Sequence, residues 1–244
     1  MIFDEAHTLE DNAANRLGLY VSSSAIKFFL NRLFNPSTGR GLLMKPGEES
    51  MAIRGAISKL YDSSETFFKQ FENDLNQSPD HCVRIRQKGY YGDNISYLFS
   101  NLKQILKEYT ENQDDSSFKT ELNAQLRTCE DFEYTVSSFI QMVYDKHVYW
   151  CESHQTGGNR QNTELTSAPL NVSSLLREML FQTDIPVILT SATLAVHDSL
   201  DYFANRVGFC RGEGLILDSP FNYWEQVTLY LSRQMPQPHE ESYS

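Results

Sequence analysis

Apolar residues recur every three or four positions through the middle of the chain, with polar residues between them. This spacing is that of one face of an α-helix and predicts long amphipathic helices. Such helices bury their apolar stripes against each other, so we predict antiparallel helices packed on a shared core. The three stripes consist of Ile53, Ile57, Leu60, Phe67 and Phe71; of Leu98, Leu102, Ile105 and Tyr109; and of Phe118, Leu122, Leu126, Cys129, Phe132, Val136, Phe139 and Val143.

The pattern changes after Tyr144, where short apolar segments alternate with turns. HVYWCES and TELTSAPL alternate as strands do, and the intervening GGNRQNT is typical of a turn. NVSSLLREMLF predicts a helix capped by Asn171, and the uninterrupted apolar run IPVILTSATL is typical of a buried parallel strand. A helix in SLDYFANRVGF and strands in GEGLILDSPF and EQVTLYLS follow. The predicted fold class is therefore α/β with a large all-α insertion.

Composition narrows the class of protein. The chain of 244 residues is 40% hydrophobic, which is too apolar for a disordered protein, and it contains no apolar run near the roughly 18 residues that a membrane span needs. No secretory signal precedes the first strand, so we expect a soluble protein of the cytoplasm. The four cysteines lie far apart without a CxxC pair, which favours reduced structural thiols over a metal or iron-sulfur site.

The net charge of -11 argues against nonspecific coating of nucleic acid, but the charge is unevenly distributed. Two stretches contain no Asp or Glu, from Asn12 to Gly47 and from His81 to Gly92. A polyanion can be bound only where carboxylates are absent, so we predict DNA contacts there, with tyrosines adding base stacking. The alternative is a solvated surface with the tyrosines packed inside. The candidate residues are Lys27, Arg32, Arg84, Arg86, Lys88, Tyr90 and Tyr91.

The opening segment MIFDEAH carries an acidic pair directly after a short apolar run. A strand that ends in Asp-Glu places Asp4 and Glu5 at the carboxyl edge of a parallel sheet, where nucleotide sites of α/β proteins lie. Asp4 can then hold the Mg²⁺ of MgATP, and Glu5 can orient and deprotonate the attacking water. The downstream TSATL element, which also follows a predicted strand, makes a chance occurrence of the box less credible.

Taken in order, IFDEAH, a long helical insertion and ILTSATL resemble the XPD/DinG-type DNA helicases of superfamily 2, in their bacterial DinG-like form. YWCES, TSAPLNVSSLLREMLF and LDSPFNY are similar to further segments of that family. The resemblance implies a partial RecA-like (P-loop NTPase) motor domain with a helical arch domain inserted into it. The implied spans are 1–8 for the end of the first motor domain, 9–144 for the arch, 145–208 for the return to the first motor domain, and 209–244 for the start of a truncated second one.

The same resemblance implies a function and a role for each matching position. The family unwinds DNA in the 5′-to-3′ direction with Mg²⁺ and ATP, acts in DNA repair and replication, and binds single-stranded DNA. Asp4 would be the magnesium ligand and Glu5 the general base. His7, Ser191 and Thr193 would couple hydrolysis to movement, although the two hydroxyls could instead cap a strand end and His7 could simply begin a helix.

The chain also departs from the family pattern. It contains no G-x-x-x-x-G-K-[ST] phosphate loop and no arginine-bearing element of a complete second motor domain. Family members with an iron-sulfur cluster carry its cysteines before the box, so we expect no cluster ligands in this chain. We therefore expect an internal piece of a helicase that is inactive alone, with a helical middle able to fold by itself. The alternative is a noncatalytic helical DNA-binding or protein-interaction module that retains a relic box.

Overall fold

Three long helices form the middle of the chain, as the apolar stripes predict. The structure is a computed structural model that describes residues 1–43, 48–156 and 160–231. Helix α1 spans Leu9–Arg16 and α2 spans Ser23–Leu33, and the long helices are α3 (Glu48–Gln77), α4 (Ser96–Glu111) and α5 (Ser116–Ile140). Helices α4 and α5 are antiparallel, because Tyr109 contacts Phe118 near their connection and Phe99 stacks on Phe132 further along. The predicted antiparallel packing is confirmed.

The predicted stripes form the core, with one exception at the end of the third. Every residue of the first stripe is fully buried, and most of the second and third are buried or half-buried. Helix α5 begins where Asp115 accepts hydrogen bonds from the backbone amides of Ser117 and Phe118, an N-cap arrangement. It ends at Ile140, and Val143 lies beyond it, 53% exposed. The inclusion of Val143 in the stripe is wrong.

A four-stranded antiparallel sheet packs against the helices in the order β2-β5-β4-β3. Strands β4 (His147–Thr156) and β5 (Arg160–Pro169) form the hairpin expected from their alternation. Their outer partners are β2 (Tyr20–Ser22) and β3 (Cys82–Ile85), which lie inside the segment expected to be all-α. The insertion is therefore mixed rather than all-α, because two short segments of it supply edge strands to the hairpin. Of the predicted turn GGNRQNT, positions 157–159 lie outside the described residues. Positions 160–163 belong to β5, so the turn prediction is wrong there.

A second, smaller unit joins the start of the chain to its later part. Strand β1 (Ile2–Phe3) pairs in parallel with β6 (Ile188–Leu189). Helix α6 (Ser173–Leu176) continues as a π-helical turn, and α7 spans Asp201–Val207. Asn171 accepts a hydrogen bond from the amide of Ser173 at 2.7 Å, as a residue at a helix start does. These helices and α1 share a small apolar cluster centred on Ala13, Val172, Leu176 and Val207.

The parallel strand and the C-terminal segments differ from the prediction. The parallel orientation of β6 is as expected, but Ile188 is 52% exposed, because β1 is its only partner strand in the described residues. No strand forms in the described parts of GEGLILDSPF and EQVTLYLS, where a short helix α8 (Tyr223–Gln226) occurs instead. Leu215, Leu217 and Leu229 are mostly exposed, since no strand of the described residues pairs with these segments. The structure is mixed α/β, and a RecA-like motor domain stays a prediction.

Two further expectations from the sequence can be compared with the structure. All four cysteines are free thiols, with Cys129 and Cys151 buried and Cys82 and Cys210 exposed. None of the helices in the described ranges is long and apolar enough to cross a membrane.

Candidate functional site

The acidic box lies on a tight turn at the carboxyl end of β1. Glu5 adopts left-handed backbone angles, with φ 50° and ψ 42°, and a short 3₁₀ helix over Ala6–Thr8 follows it. The amide of Ala6 donates to the carbonyl of Thr190 at 2.9 Å, and the amide of Thr190 donates to the carbonyl of Phe3 at 2.9 Å. Because β1 and β6 are parallel, these bonds bring the box and the TSATL element together at the same sheet edge.

Glu5, His7 and Ser191 form one polar network across that edge. His7 Nδ1 lies 2.9 Å from Ser191 Oγ and 3.3 Å from Glu5 Oε2. Ser191 Oγ also lies 3.4 Å from Glu5 Oε2, so the hydroxyl, the imidazole and the carboxylate are all within reach of one another. A change in the position of one segment would therefore move a polar partner of the other. Such a linkage is what a coupling role requires, and the roles themselves stay a prediction.

Asp4 is held by a residue that the sequence analysis did not select. Thr190 Oγ1 donates to Asp4 Oδ1 at 2.8 Å, and the amide of Glu5 donates to the same oxygen at 3.0 Å. Asp4 Oδ2 has no hydrogen bond within the described residues, and the side chain is exposed. One oxygen is thus fixed and the other is open to a cation or to its water. Thr190 precedes the two hydroxyl residues that the family pattern emphasises, and no single-sequence signal distinguishes it from them.

Thr193 is less closely connected to the network. Its amide approaches Ser191 Oγ at 3.3 Å, and its side chain is exposed. The structure thus brings Asp4, Glu5 and His7 into contact with Thr190 and Ser191 of the TSATL segment. The hydroxyl of Thr193 is exposed and has no hydrogen-bond partner among the described residues.

The predicted DNA contacts after α3 divide into exposed and buried residues. Arg84, Arg86 and Lys88 are exposed and make no ion pair within the described part of the chain. Tyr90 is 60% exposed, whereas Tyr91 is 6% exposed. The Tyr91 ring lies 4.1 Å from that of Phe71 between centroids, and its hydroxyl donates to Asp74 Oδ2 at 2.6 Å. Tyr91 is a core residue, so the structure contradicts its expected role in base stacking.

The cations of the first acid-free stretch are neutralised from other helices. Lys27 pairs with Glu65 of α3 at 3.6 Å and lies over the ring of Tyr61, and Arg32 pairs with Glu121 of α5 at 3.4 Å. A segment without acids in sequence is therefore not a segment without acids in space. These ion pairs do not support a free cationic patch at Lys27 and Arg32, and their contact with DNA stays a prediction. Lys45, in the same stretch, lies outside the described residues.

Comparison with known proteins finds that the chain is similar to bacterial helicases. No protein-family model matches it. It is 27% identical, over 98% of its length, to the ATP-dependent DNA helicase YoaA of Escherichia coli (strain K12), and 25% identical, over 95%, to the probable ATP-dependent helicase YpvA of Bacillus subtilis (strain 168). It is also 21% identical, over 96%, to the 3′-5′ exonuclease DinG of Bacillus subtilis (strain 168).

These matches cover 35%, 33% and 29% of the respective relatives. The chain therefore spans about a third of the length of the curated relatives that it matches. The similarity extends over nearly the whole chain, so the predicted resemblance to DinG-like helicases is confirmed.

Proposed function

From this homology to DinG-like helicases, we propose that the chain contributes the acidic half of an ATP-hydrolysing site to a DNA helicase. The observation that supports the proposal most directly is the contact of Asp4, Glu5 and His7 with Thr190 and Ser191 across the β1–β6 edge. Two segments separated by more than 180 residues meet through side chains that the box and the TSATL element supply. A relic box without a role has no need of such a connection.

The donor set fits a magnesium ion that carries ATP phosphates. Asp4 would hold the ion, directly or through water, by the Oδ2 atom that its neighbours leave open, while Thr190 holds Oδ1. Mg²⁺ so bound would neutralise charge on the transferring phosphoryl group. Glu5 would accept the proton of the attacking water, and Ser191 and His7 would hold the Glu5 carboxylate in place.

A chimera tests these roles. The segments that flank the corresponding region of the Escherichia coli relative would be joined to this chain, supplying a phosphate loop and a complete second motor domain. Glu5→Gln should lower ATP turnover by about 100-fold or more while ATP binding persists, because it removes the base and keeps the size of the side chain. Thr193→Ala should leave part of the hydrolysis and reduce strand separation more strongly.

Asp11→Asn is the matched control, since Asp11 is an exposed carboxylate on the following helix. It should leave turnover within about twofold of the parent. Near-normal turnover in the Glu5→Gln chimera would show that the base assignment is incorrect.

We further propose that Arg84, Arg86 and Lys88, with Tyr90 beside them, contact single-stranded DNA. All four are exposed on or just after β3, and no carboxylate within the described residues pairs with the three cations. The proposal includes the 5′-to-3′ direction and a role in repair or replication, as the family resemblance implies. It also includes the cytoplasmic location expected from the sequence.

Binding of a fluorescent single-stranded oligonucleotide tests this surface. Changing Arg84, Arg86 and Lys88 together to alanine should weaken binding and lower the salt slope by about 0.7 for each lost phosphate contact. The double change of Lys27 and Arg32 to alanine is the control, because both cations are already paired with carboxylates. Equal effects of the two sets would refute the assignment of this surface.

A further inference from the structure

The outer face of the β4–β5 hairpin carries a cluster of metal-ligating side chains far in sequence from the acidic box. Glu152 pairs directly with Glu164 across the two strands, and His154 pairs with Asn162 on the next rung of the same face. One carboxylate oxygen from each glutamate and one ring nitrogen of His154 lie within 4.8 Å of one another. We infer that Glu152, His154 and Glu164 bind one divalent transition-metal ion, with Zn²⁺ as the best fit.

The distances and the donor types agree with this inference. His154 Nε2 lies 3.6 Å from Glu152 Oε2, close to the separation of about 3.4 Å between two ligands of a tetrahedral zinc ion with bonds of about 2.0 to 2.1 Å. One imidazole with two carboxylates is a donor set for Zn²⁺ rather than for Mg²⁺, which prefers oxygen ligands and several waters. Three protein ligands leave a coordination position for water.

Neighbouring side chains orient both carboxylates, as partners of metal ligands do. Asn162, only 7% exposed, donates from Nδ2 to Glu164 Oε1 at 2.8 Å, and its own Oδ1 accepts from the Ser23 hydroxyl and the Ser24 amide. Trp150 Nε1 lies 3.4 Å from Glu152 Oε1. In each glutamate Oε1 is occupied, and in Glu152 the remaining oxygen faces His154.

Charge on this face also favours a cation. Like charges directly opposite each other on paired strands are destabilising, yet no lysine or arginine in the described ranges forms an ion pair with Glu152 or Glu164. A divalent ion would offset this cost.

The chain contains its own reporter for a test. Of its two tryptophans, Trp150 contacts Glu152 and Trp224 is 96% exposed. In the full chain carrying Trp224→Phe, Zn²⁺ should change the emission of Trp150 saturably at one ion per chain. Glu164→Gln and His154→Ala should each weaken Zn²⁺ binding by at least about 10-fold, whereas Mg²⁺ at the same concentrations should give no change.

Two controls separate this site from other zinc ligands. His197→Asn removes an exposed imidazole elsewhere in the chain, at a backbone angle that asparagine tolerates. Cys82→Ser removes the exposed thiol of the β3 residue that is the strand partner of Glu152. Both should keep zinc affinity within about twofold. A loss confined to Cys82→Ser, or the absence of saturable Zn²⁺ binding, would overturn the proposal.

Thermal unfolding separates the loss of a metal ligand from the loss of the fold in the Glu164→Gln variant. In chelator, Glu164→Gln should be at least as stable as the parent, because it removes the repulsion between the facing carboxylates. Zn²⁺ should raise the melting temperature of the parent and not that of the variant, since only a folded site binds the ion. A variant that is destabilised in chelator would show that Glu164 supports the hairpin rather than a metal.

Discussion

Tyr90 and Tyr91 are adjacent in sequence but have opposite environments, and this contrast gives a sharp prediction. Tyr91→Phe removes only the hydroxyl that donates to Asp74 at 2.6 Å and keeps the ring on Phe71. Tyr91→Ala removes the ring as well. Tyr90→Ala removes a side chain that is mostly in solvent.

The expected losses of unfolding free energy follow from these contacts. A hydrogen bond to a charged group contributes about 1.5 to 3 kcal/mol, and Asp74 is only partly buried, so Tyr91→Phe should cost near the lower end, about 1.5 to 2 kcal/mol. Loss of a buried aromatic ring costs about 3 to 5 kcal/mol, which we expect for Tyr91→Ala. Tyr90→Ala should stay within about 0.5 kcal/mol of the parent.

Urea unfolding followed by circular dichroism measures all three variants, and oligonucleotide binding is measured on the same samples. We expect Tyr91→Phe to lose stability and keep its DNA affinity, and Tyr90→Ala to show the reverse. If Tyr91→Phe kept full stability while its DNA affinity fell, Tyr91 would be a DNA contact and the packing argument would be incorrect.

Three further predictions concern the backbone, pH and nucleotide. Gly18→Ala should lower the free energy of unfolding in urea by about 1 to 3 kcal/mol or more, because its Cβ would lie 1.7 Å from the carbonyl oxygen of Ser167. Gly55→Ala, in open space on α3, should raise it by about 0.5 to 1 kcal/mol. Equal effects of the two substitutions would refute the steric argument. Burial raises the pKa of Cys129 and of Cys151 to about 12, above the ordinary thiol value of 9.0. Their contribution to stability should therefore be complete below about pH 9 and lost as the pH rises through 12; urea midpoints unchanged between pH 8 and 11.5 would contradict this. The purified chain should release no phosphate from ATP above the buffer rate, since its sequence contains no phosphate loop, and DNA-stimulated release would contradict that expectation.

The helices could be predicted from the sequence because burial follows a local repeat. Ile53, Ile57 and Leu60 are spaced so that a helix must place them on one face, and they are fully buried. The hairpin was predictable for the same reason, since alternation over several residues identifies each strand. These features depend on neighbours within a few positions along the chain.

The edge strands and the charge environment could not be predicted in this way. Strands β2 and β3 have three and four residues, too few to show alternation, and they exist because the hairpin offers unpaired edges. The carboxylates that neutralise Lys27 and Arg32 come from positions 38 and 89 residues away. Such pairing depends on how helices pack, which no local composition reveals.

The candidate site contains residues that the sequence predicts and one that it does not. The motif in the sequence identified Asp4, Glu5 and His7 and suggested that a distant TSATL element belongs with them. It did not identify Thr190, because a threonine at a strand end has no chemical signature until its hydroxyl is seen 2.8 Å from a carboxylate.

The sheet order β2-β5-β4-β3 has a consequence for how this protein is made. Tyr20 of β2 pairs with Thr166, and Ile85 of β3 pairs with Tyr149. Both early strands therefore have no pairing partner until the hairpin has been synthesised. Closing such long loops is entropically costly and slows folding, and an unpaired strand edge invites aggregation in the meantime. We expect nascent chains that stop before residue 147 to keep their helices but to be sensitive to protease near Tyr20 and Cys82. Protection should appear in a single step once β5 has left the ribosome.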